Sequence, residues 1–462
     1  MGNAQIHRDL LEISSVFTAA SKQAYLVGGA VRDLLRGAES KDWDIATDAS
    51  PEEVMRLFRR VIPTGIKHGT VTVLFKGRSI EVTTFRTESE YSDGRHPDGV
   101  SYAATIEEDL SRRDFTMNAI ALELPSGKLV DPFGGQKDIQ NRLIRCVGKA
   151  TERFNEDGLR PLRAARFAAQ LMFRLDSATL AAIPGALKKT ALVSSERVRD
   201  ELDKILGSPK PSIGFEVMEK TGLLELLLPE LALCRGIEQK GYHRFDVLDH
   251  LLRACDAAPR DKQRIRLASL FHDLGKPAVQ RLDESGVYTF YNHEVESEKL
   301  SRKIMERLRY SNAAIEEVAH LVAIHMFHYE DSWTDAAVRR FIVRVGEENL
   351  QSAYDLRRAD MEGTTGSPPS PSSLLPLMDR VESVLAKGRA LSLRDLAVKG
   401  NDLASLGIAR GPRMGVILNE LLEAVLDDPE LNTREKLLEI AKNMSAKEGS
   451  KQDWDLERHK PS

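Results

Sequence analysis

The pattern of apolar and polar positions changes character after residue 135. Before it, short apolar runs alternate with stretches at helical spacing. AYLV (24–27) ends at Gly28-Gly29, and AVRDLL resumes with apolar residues three and four apart. TVTVLF and SIEVTTF alternate in period two on either side of Lys76-Gly77, which predicts a β-hairpin. After DPFGG (131–135) almost every segment reads as helix. VSSERVRDELDKIL predicts an N-capped helix, whereas IPGALKKTA and LGSPKPS carry helix breakers. GTTGSPPSPSS (363–373) is too rich in Pro, Ser and Gly to pack and reads as a linker. The closing SAKEGSKQDWDLERHKPS is expected to be disordered, and no solenoid repeat is present. The expected fold class is α+β, a small α/β head followed by a long all-α remainder. The expected boundaries are a head over 1–138, a helical neck and body over 139–242, a further helical domain over 243–362, a linker over 363–376 and a helical tail over 377–462.

Composition narrows the class. The chain has 462 residues, 42% hydrophobic and 29% charged, enough for several globular cores. Its three cysteines show no C-x-x-C spacing, so neither a disulfide framework nor a thiolate zinc site is implied and a reducing compartment is expected. The N-terminus lacks a basic flank followed by an apolar stretch, and Ile6 stands where myristoylation needs Ser or Thr. No apolar run reaches the ~18 residues of a bilayer span. A cytoplasmic protein with no membrane partner is expected. The formal net charge of −4 excludes a uniformly basic coat. It leaves room for a local one, since residues 142–174 hold eight bases against three acids.

Candidate chemistry in the head begins with VGGAVRD (27–33). Two glycines between a strand and a helix let backbone N–H groups approach an anion, although most Gly-Gly pairs are plain turns. KDWDIAT (41–47) follows. On an extended segment Asp42 and Asp44 project to one face, and two close carboxylates ionise together only around a cation. All-oxygen ligands suit Mg²⁺; a solvated turn is the plainer alternative. Glu81 in SIEV is a third carboxylate or an exposed strand acid.

The basic strip centres on NEDGLRPLRAARFAAQL (155–171), with arginines at 160, 163 and 166. Asp157 and Arg160 are neighbours if this stretch is helical, and an ordinary ion pair would contribute a few tenths of a kcal/mol. Arg163 and Arg166 suit a solvated face or an RNA phosphate track. Pro161 fits a first helical turn, so the helix is expected to start near Asp157. A carboxylate and a guanidinium side by side have a further use. Cytosine and adenine present an amine beside an unprotonated ring nitrogen, which a carboxylate and a guanidinium match. Uracil and guanine present the reverse pattern. A mismatched buried polar group costs about 1–3 kcal/mol, so such a pair admits C and A and rejects U and G.

GGAVRD, DWDIAT, RRDFTMNAIA (112–121), DPFGG and EDGLRPLRAARFAA (156–169) occur in an order that resembles class II tRNA nucleotidyltransferases, the CCA-adding enzymes and their bacterial poly(A) polymerase relatives, over roughly residues 24–235. The resemblance implies template-independent nucleotidyl transfer with two metals, using CTP and ATP on the tRNA 3′ end. It implies Asp42 and Asp44 as catalytic Mg²⁺ ligands, and Gly28, Gly29, Arg32 and Arg113 around the nucleoside triphosphate. Asp157 and Arg160 would read the base, with Arg163 and Arg166 lining the nucleotide site. Asp114 is expected to cap a helix over FTMNAIAL rather than to catalyse. The loop within TTFRTESEYSDGRHPDGVSYA (83–103) looks uninterrupted, and with KHGTVTVLF it favours CCA completion over an A-adding or poly(A) relative.

A second constellation lies further on. RLASLFHDLGKPA (266–278), with His250 upstream and NHEVES, AIHMFHY and RRADMEG downstream, resembles the HD metal-dependent phosphohydrolases over about residues 243–362. That resemblance implies a first metal held by His250, His272, Asp273 and Asp360, and a second completed by His293 and His325, with His328 competing for the last place. The ion is a divalent transition metal or Mg²⁺. It leaves open a centre kept only for structure, and an alternative protein altogether: an RNA-end phosphatase or phosphodiesterase with an RNA-binding head. LAVKGNDLASLGIARGPRMGVILNELLEAVL (396–426) suits either a surface for the tRNA elbow or a plain packing unit. No protein partner is evident.

Overall fold

The computed structural model describes residues 6–40, 42–66, 69–88, 100–239, 244–387 and 392–457. The 83–103 loop therefore falls in part outside the described residues, as do Lys67 and His68 of KHGTVTVLF.

The head is built on strands β1 (Ala24–Val27), β2 (Asp44–Thr47), β3 (Val61–Gly65), β4 (Thr70–Phe75), β5 (Arg78–Thr84), β6 (Arg86–Glu88), β7 (Val100–Tyr102), β8 (Ala121–Leu124) and β9 (Leu129–Val130). Seven of them form one sheet in the order β3-β4-β5-β2-β1-β8-β9, while β6 and β7 pair separately. The expected hairpin is β4–β5, and its turn places Lys76 at φ 48° and Gly77 at φ 80°. Two positive φ values in a two-residue loop match the right-handed twist of the strands. Alternation puts Leu26, Ile45, Val71, Val73, Ile80 and Val82 in the main core. Tyr25, Val27, Ala46 and Phe85 pack on the other face against Ile106 and Leu110. Only the β2–β5 pair within the sheet is parallel, and its register sets Asp44 opposite Glu81. On its other side Asp44 lies opposite Val27, the last residue before the Gly28-Gly29 turn. The sheet therefore brings three separate sequence motifs to one strand end.

The neck follows with helices Ala150–Glu156, Arg160–Leu171, Ser177–Thr190, Ser195–Leu206 and Pro211–Thr221. IPGALKKTA does not break its helix: Pro184 sits inside Ser177–Thr190. Ala182, Ile183 and Ala186 on that helix are buried, and their packing offsets the ~3 kcal/mol cost of an internal proline.

The linker reading also changes. The Leu350–Thr365 helix runs into GTTGSPPSPSS, a 3₁₀ turn occupies Pro371–Ser373, and Leu375–Ala386 is helical. Leu374, Leu377, Val381 and Val384 join the main core, so the residues after the Ser/Pro stretch belong to the preceding body. The core divides later. A separate cluster begins at Leu396 and includes Val398, Leu421, Val425 and Leu437. The final helix spans Arg434–Glu457, so it enters the stretch expected to be disordered, anchored at its start by buried Leu437 and Ala441.

Cys146, Cys234 and Cys255 are free and buried. Burial pushes all three thiols up, Cys146 to about 12. Among the described residues no helix is long and apolar enough to cross a membrane.

Candidate active site and metal centre

At the head's strand end, Trp43 and Ile45 point into the core while Asp42 and Asp44 stay open to solvent, as period-two alternation requires. Gly28 turns the chain beside them at φ +71°. A side chain there would start 3.2 Å from the Arg113 guanidinium and 3.6 Å from the Asp44 carboxylate, so only glycine leaves this approach open. Partial burial first, and Glu81 second, push the Asp44 carboxyl up to about 6; Arg113 opposes and Asp42 adds to the rise. Asp42, Asp44 and Glu81 are a donor set of oxygens alone, with repulsion that a hard cation relieves. These residues fit Mg²⁺.

Arg113 is held by a residue the sequence reading passed over. Asp109, fully buried, receives Arg113 Nη2 at 3.1 Å and Arg112 Nε at 2.9 Å. Burial alone would raise its carboxyl, but the two guanidiniums hold it below the usual range. The 109/112/113 spacing in EEDLSRR was the available signal.

Head and neck arginines converge on one ring. The guanidiniums of Arg32, Arg163 and Arg166 stand 5.4, 5.6 and 4.0 Å from the centre of Phe167. Arg32 Nη1 donates to Asn118 at 2.9 Å, Asn118 donates to Asp114 at 3.1 Å, and Arg163 donates to Asp114 at 2.6 and 2.9 Å. The expected helix over FTMNAIAL is absent: a 3₁₀ turn at Thr116–Asn118 leads directly into β8. Asp114 instead joins head to neck. Burial opposes its charge, yet Arg163 and Asn118 hold it well below the usual carboxylate range. Burial, then Arg163, lowers Arg166 to about 10, still charged at neutral pH.

The strip itself is arranged differently from expectation. The helix begins at Arg160, and Asp157 lies in the joint before it with extended backbone (φ −133°, ψ 112°). Gly158 makes that joint: a side chain there would meet Lys189 O at 2.5 Å. Asp157 and Arg160 therefore form no helical pair. Arg160 donates to Glu156 at 2.5 Å, to Arg153 O at 2.9 Å and to Arg112 O at 3.1 Å. Asp157 takes Arg197 Nη2 at 3.0 Å and the Leu159 N–H at 3.0 Å. The Ser195–Leu206 helix supplies the opposite charge as well, with Glu201 at 2.9 Å from Arg166 and 4.0 Å from Arg163. Arg197 and Glu201 were legible as one helix face, four residues apart, but not as partners of 157 and 166.

The second constellation closes in space. His250, His272, Asp273, His293, His325 and Asp360 are all buried, contributed by five helices or their ends. Asp273 Oδ2 lies 3.3 Å from His250 Nε2 and 3.4 Å from His272 Nε2. Its Oδ1 lies 3.1 Å from His293 Nε2 and 3.7 Å from His325 Nε2. Asp360 Oδ1 faces His250 and His272 at 3.4 and 3.5 Å. One carboxylate thus stands between two histidine pairs. His272, His293 and His325 each set Nδ1 against a backbone carbonyl, of Ser269, Phe290 and Val322, at 2.9, 2.8 and 2.7 Å. With Nδ1 donating, each Nε2 carries its lone pair inward. The Nε2 atoms of His250 and His272 stand 2.9 Å apart, and two sets, His250/His272/Asp273 and Asp273/His293/His325, each gather their ligand atoms within 4.8 Å, so the residues fit a metal in either set. Gly275 permits the closure, since a side chain there would meet His293 O at 2.4 Å. His328 is exposed and outside the cluster, leaving the place to His325. Lys276 Nζ reaches Asp273 at 2.5 Å and Arg357 reaches Asp360 at 2.6 Å. Both line a cleft of about 900 Å³.

Comparison with known proteins decides the family. A CCA-adding enzyme from Lactobacillus johnsonii is 34% identical over 431 residues, covering 93% of this chain and 96% of the relative. The chain belongs to the CCA-adding enzyme family. The Geobacillus stearothermophilus member is 36% identical over 416 residues, covering 90% and 91%. The crystal structure of the Bacillus stearothermophilus CCA-adding enzyme in complex with CTP superposes with a TM-score of 0.72 at 31% identity, over 97% of this chain and all of that one. Residues 24–145 match the poly A polymerase head domain, 172–234 the probable RNA and SrmB-binding site of polymerase A, and 283–441 the putative tRNA nucleotidyltransferase domain 2. The last match begins after His250, His272 and Asp273.

Proposed function

We propose that this CCA-adding enzyme family member builds or repairs the 3′-terminal CCA of tRNA from CTP and ATP without a nucleic-acid template. The observation that carries the reading is the joining of two motifs across the head–neck boundary. The Asp44/Glu81 carboxylates lie beside the Gly28 turn and Arg113, and Arg32 of the same head shares the Phe167 ring with Arg163 and Arg166. Asp42 and Asp44 would hold Mg²⁺, which when bound would supply Lewis acidity to the RNA 3′-hydroxyl and to the leaving pyrophosphate. Arg113 and Arg32 donate to the triphosphate from positions fixed by Asp109 and Asn118, so little reorganisation is needed as charge moves. Asp157 accepts from the amine of C or A. Arg160 donates to the ring nitrogen, exchanging one of its present bonds to Glu156 or the Arg112 carbonyl. The test offers tRNAs ending before CCA, before CA and before A, with CTP, ATP or both. Completion of all three supports the reading; addition of A alone, or long A tails, selects the A-adding or poly(A) relative. Incorporation of UTP or GTP as readily as CTP overturns the base-reading assignment.

A second activity rests on the buried histidine cluster. We propose that His250, His272, Asp273 and Asp360 bind a divalent metal, that Asp273 shares a second with His293 and His325, and that the cleft hydrolyses phosphoesters. A bound metal there supplies an activated water and a Lewis acid. Lys276 and Arg357 place positive charge at the cleft wall, where a phosphate would sit. Phosphatase and phosphodiesterase assays after reconstitution with Mn²⁺, Ni²⁺ or Mg²⁺ test it; metal bound without hydrolysis reduces the centre to a structural one.

A further inference from the structure

The Ser195–Leu206 helix carries a charge pattern inverse to that of the strip it faces. Arg197 stands against Asp157, and four residues on, Glu201 stands against Arg166 and Arg163. The opposite side of the same helix is tied to the body: Arg199 Nη1 donates to Arg309 O at 2.7 Å and Asp203 accepts from Tyr310 Oη at 2.6 Å. Arg197 therefore projects from a fixed support.

Its contact with Asp157 is directed. Nη2 approaches Oδ2 at 3.0 Å and Oδ1 at 3.3 Å, and the Leu159 N–H approaches Oδ1 at 3.0 Å. A carboxylate has about four lone-pair positions. Two on Oδ1 and one on Oδ2 are taken, which stops the group rotating and leaves one acceptor position on Oδ2. Among the described residues Arg197 makes no other hydrogen bond, and its Nη1 is buried without a partner. The directed contact of this guanidinium is the Asp157 carboxylate.

We infer that Arg197 is a positioning residue that sets nucleotide specificity: it holds Asp157 so that one oxygen lone pair, in one direction, meets the incoming base. An amine donor, as on C and A, satisfies that position, while a carbonyl, as on U and G, opposes it. A freely turning Asp157 could swing away from a carbonyl and would discriminate less. The inference rests on the reading that Asp157 reads the base, and it assigns fidelity to a helical residue 40 positions later in the sequence.

The full-length enzyme, its Asp157→Ala, Arg197→Met and Arg197→Lys variants and the Asp157→Ala/Arg197→Met double variant are given tRNA lacking CCA. kcat and KM are measured for CTP and UTP separately, with melting temperatures alongside. Arg197→Met is expected to lower the CTP-over-UTP ratio of kcat/KM by about tenfold, the scale of one misplaced buried polar contact. The loss should lie mainly in KM for CTP. Arg197→Lys, which keeps the charge but not the fork, should recover part of the ratio, and the double variant should match Asp157→Ala alone. A wild-type ratio in Arg197→Met, or additive losses in the double variant, overturns the inference. If Asp157→Ala itself keeps the wild-type ratio, the base-reading assignment falls; if it loses the ratio and Arg197→Met does not, only the role of Arg197 falls. Should Arg197→Met fail to fold, Arg197→Lys decides alone: an intermediate ratio supports positioning and an unchanged one refutes it.

Discussion

The head carboxylates and the histidine cluster are both candidate metal centres, and they are built on opposite principles. Asp42 and Asp44 stand at an open strand end with oxygen donors only. The cluster is buried, mixes four imidazoles with two carboxylates, and has three of its ring orientations fixed by backbone carbonyls. An open all-oxygen site suits a cation that arrives and leaves with a triphosphate; a closed imidazole site suits one that stays. One chain can thus hold an exchangeable and a resident metal without either competing for the other's ligands.

Loss of one ligand from each centre should have the largest effects. Asp44→Ala should reduce nucleotide addition by about a thousandfold or more, with metal retained by the cluster; equal loss of both activities in a folded variant would mean the centres are not independent. His272→Ala should abolish metal retention through gel filtration, read by elemental analysis, and leave CTP incorporation intact. In the unmutated protein, chelation should lower the melting temperature, since a metal at a thousand times its Kd adds about 4 kcal/mol of stability.

The junction between the head and the neck should respond less strongly. Asp114→Ala removes the closer carboxylate from Arg163, which is 31% exposed and keeps Glu201 at 4.0 Å, so a loss of about 1–3 kcal/mol is expected. Denaturant unfolding should show it, with nucleotide addition reduced in the surviving folded fraction. A milder test uses acidity. The Asp44 carboxyl, raised to about 6, binds more protons folded than unfolded between about pH 4 and 6. Without cation, its contribution to stability therefore falls as pH rises through that window. Mg²⁺ must displace the proton, so the Mg²⁺ concentration for half-maximal rate should rise about tenfold per unit below pH 6; a flat profile would detach Asp44 from the metal. The smallest effect is expected for Lys149→Ala. This residue belongs to the same basic window, but its side chain is 77% exposed and, among the described residues, pairs only with Glu152. It should change stability by less than about 0.5 kcal/mol and leave CTP incorporation unchanged.

The period of two in DWDIAT placed Asp42 and Asp44 on one open face, because strand geometry is local. The hairpin at Lys76-Gly77 was legible for the same reason. His272-Asp273 needed only a helix end; His250, His293, His325 and Asp360 were named through the resemblance to HD phosphohydrolases, and the fold buries them around it. Asp157 was misjudged as a helical neighbour of Arg160, because the joint at 157–159 is set by the carbonyl of Lys189 pressing on Gly158. Arg197 as the partner of Asp157, and Glu201 as the partner of Arg166, were invisible for a like reason: segments adjacent in space carry no local mark of which side chains they bring together. The 363–373 stretch shows the limit of composition, since Ser and Pro there connect two buried apolar segments rather than releasing them.

The three buried thiols make the folded chain its own reporter. Cys146 lies at the head–neck boundary, while Cys234 and Cys255 lie beyond it in the helical body. A thiol held protonated and away from solvent reacts slowly, so a thiol reagent added to the native protein should modify none of them quickly. During heating or denaturant titration, the order in which the three become labelled would then report which layer opens first, with no probe introduced into the chain.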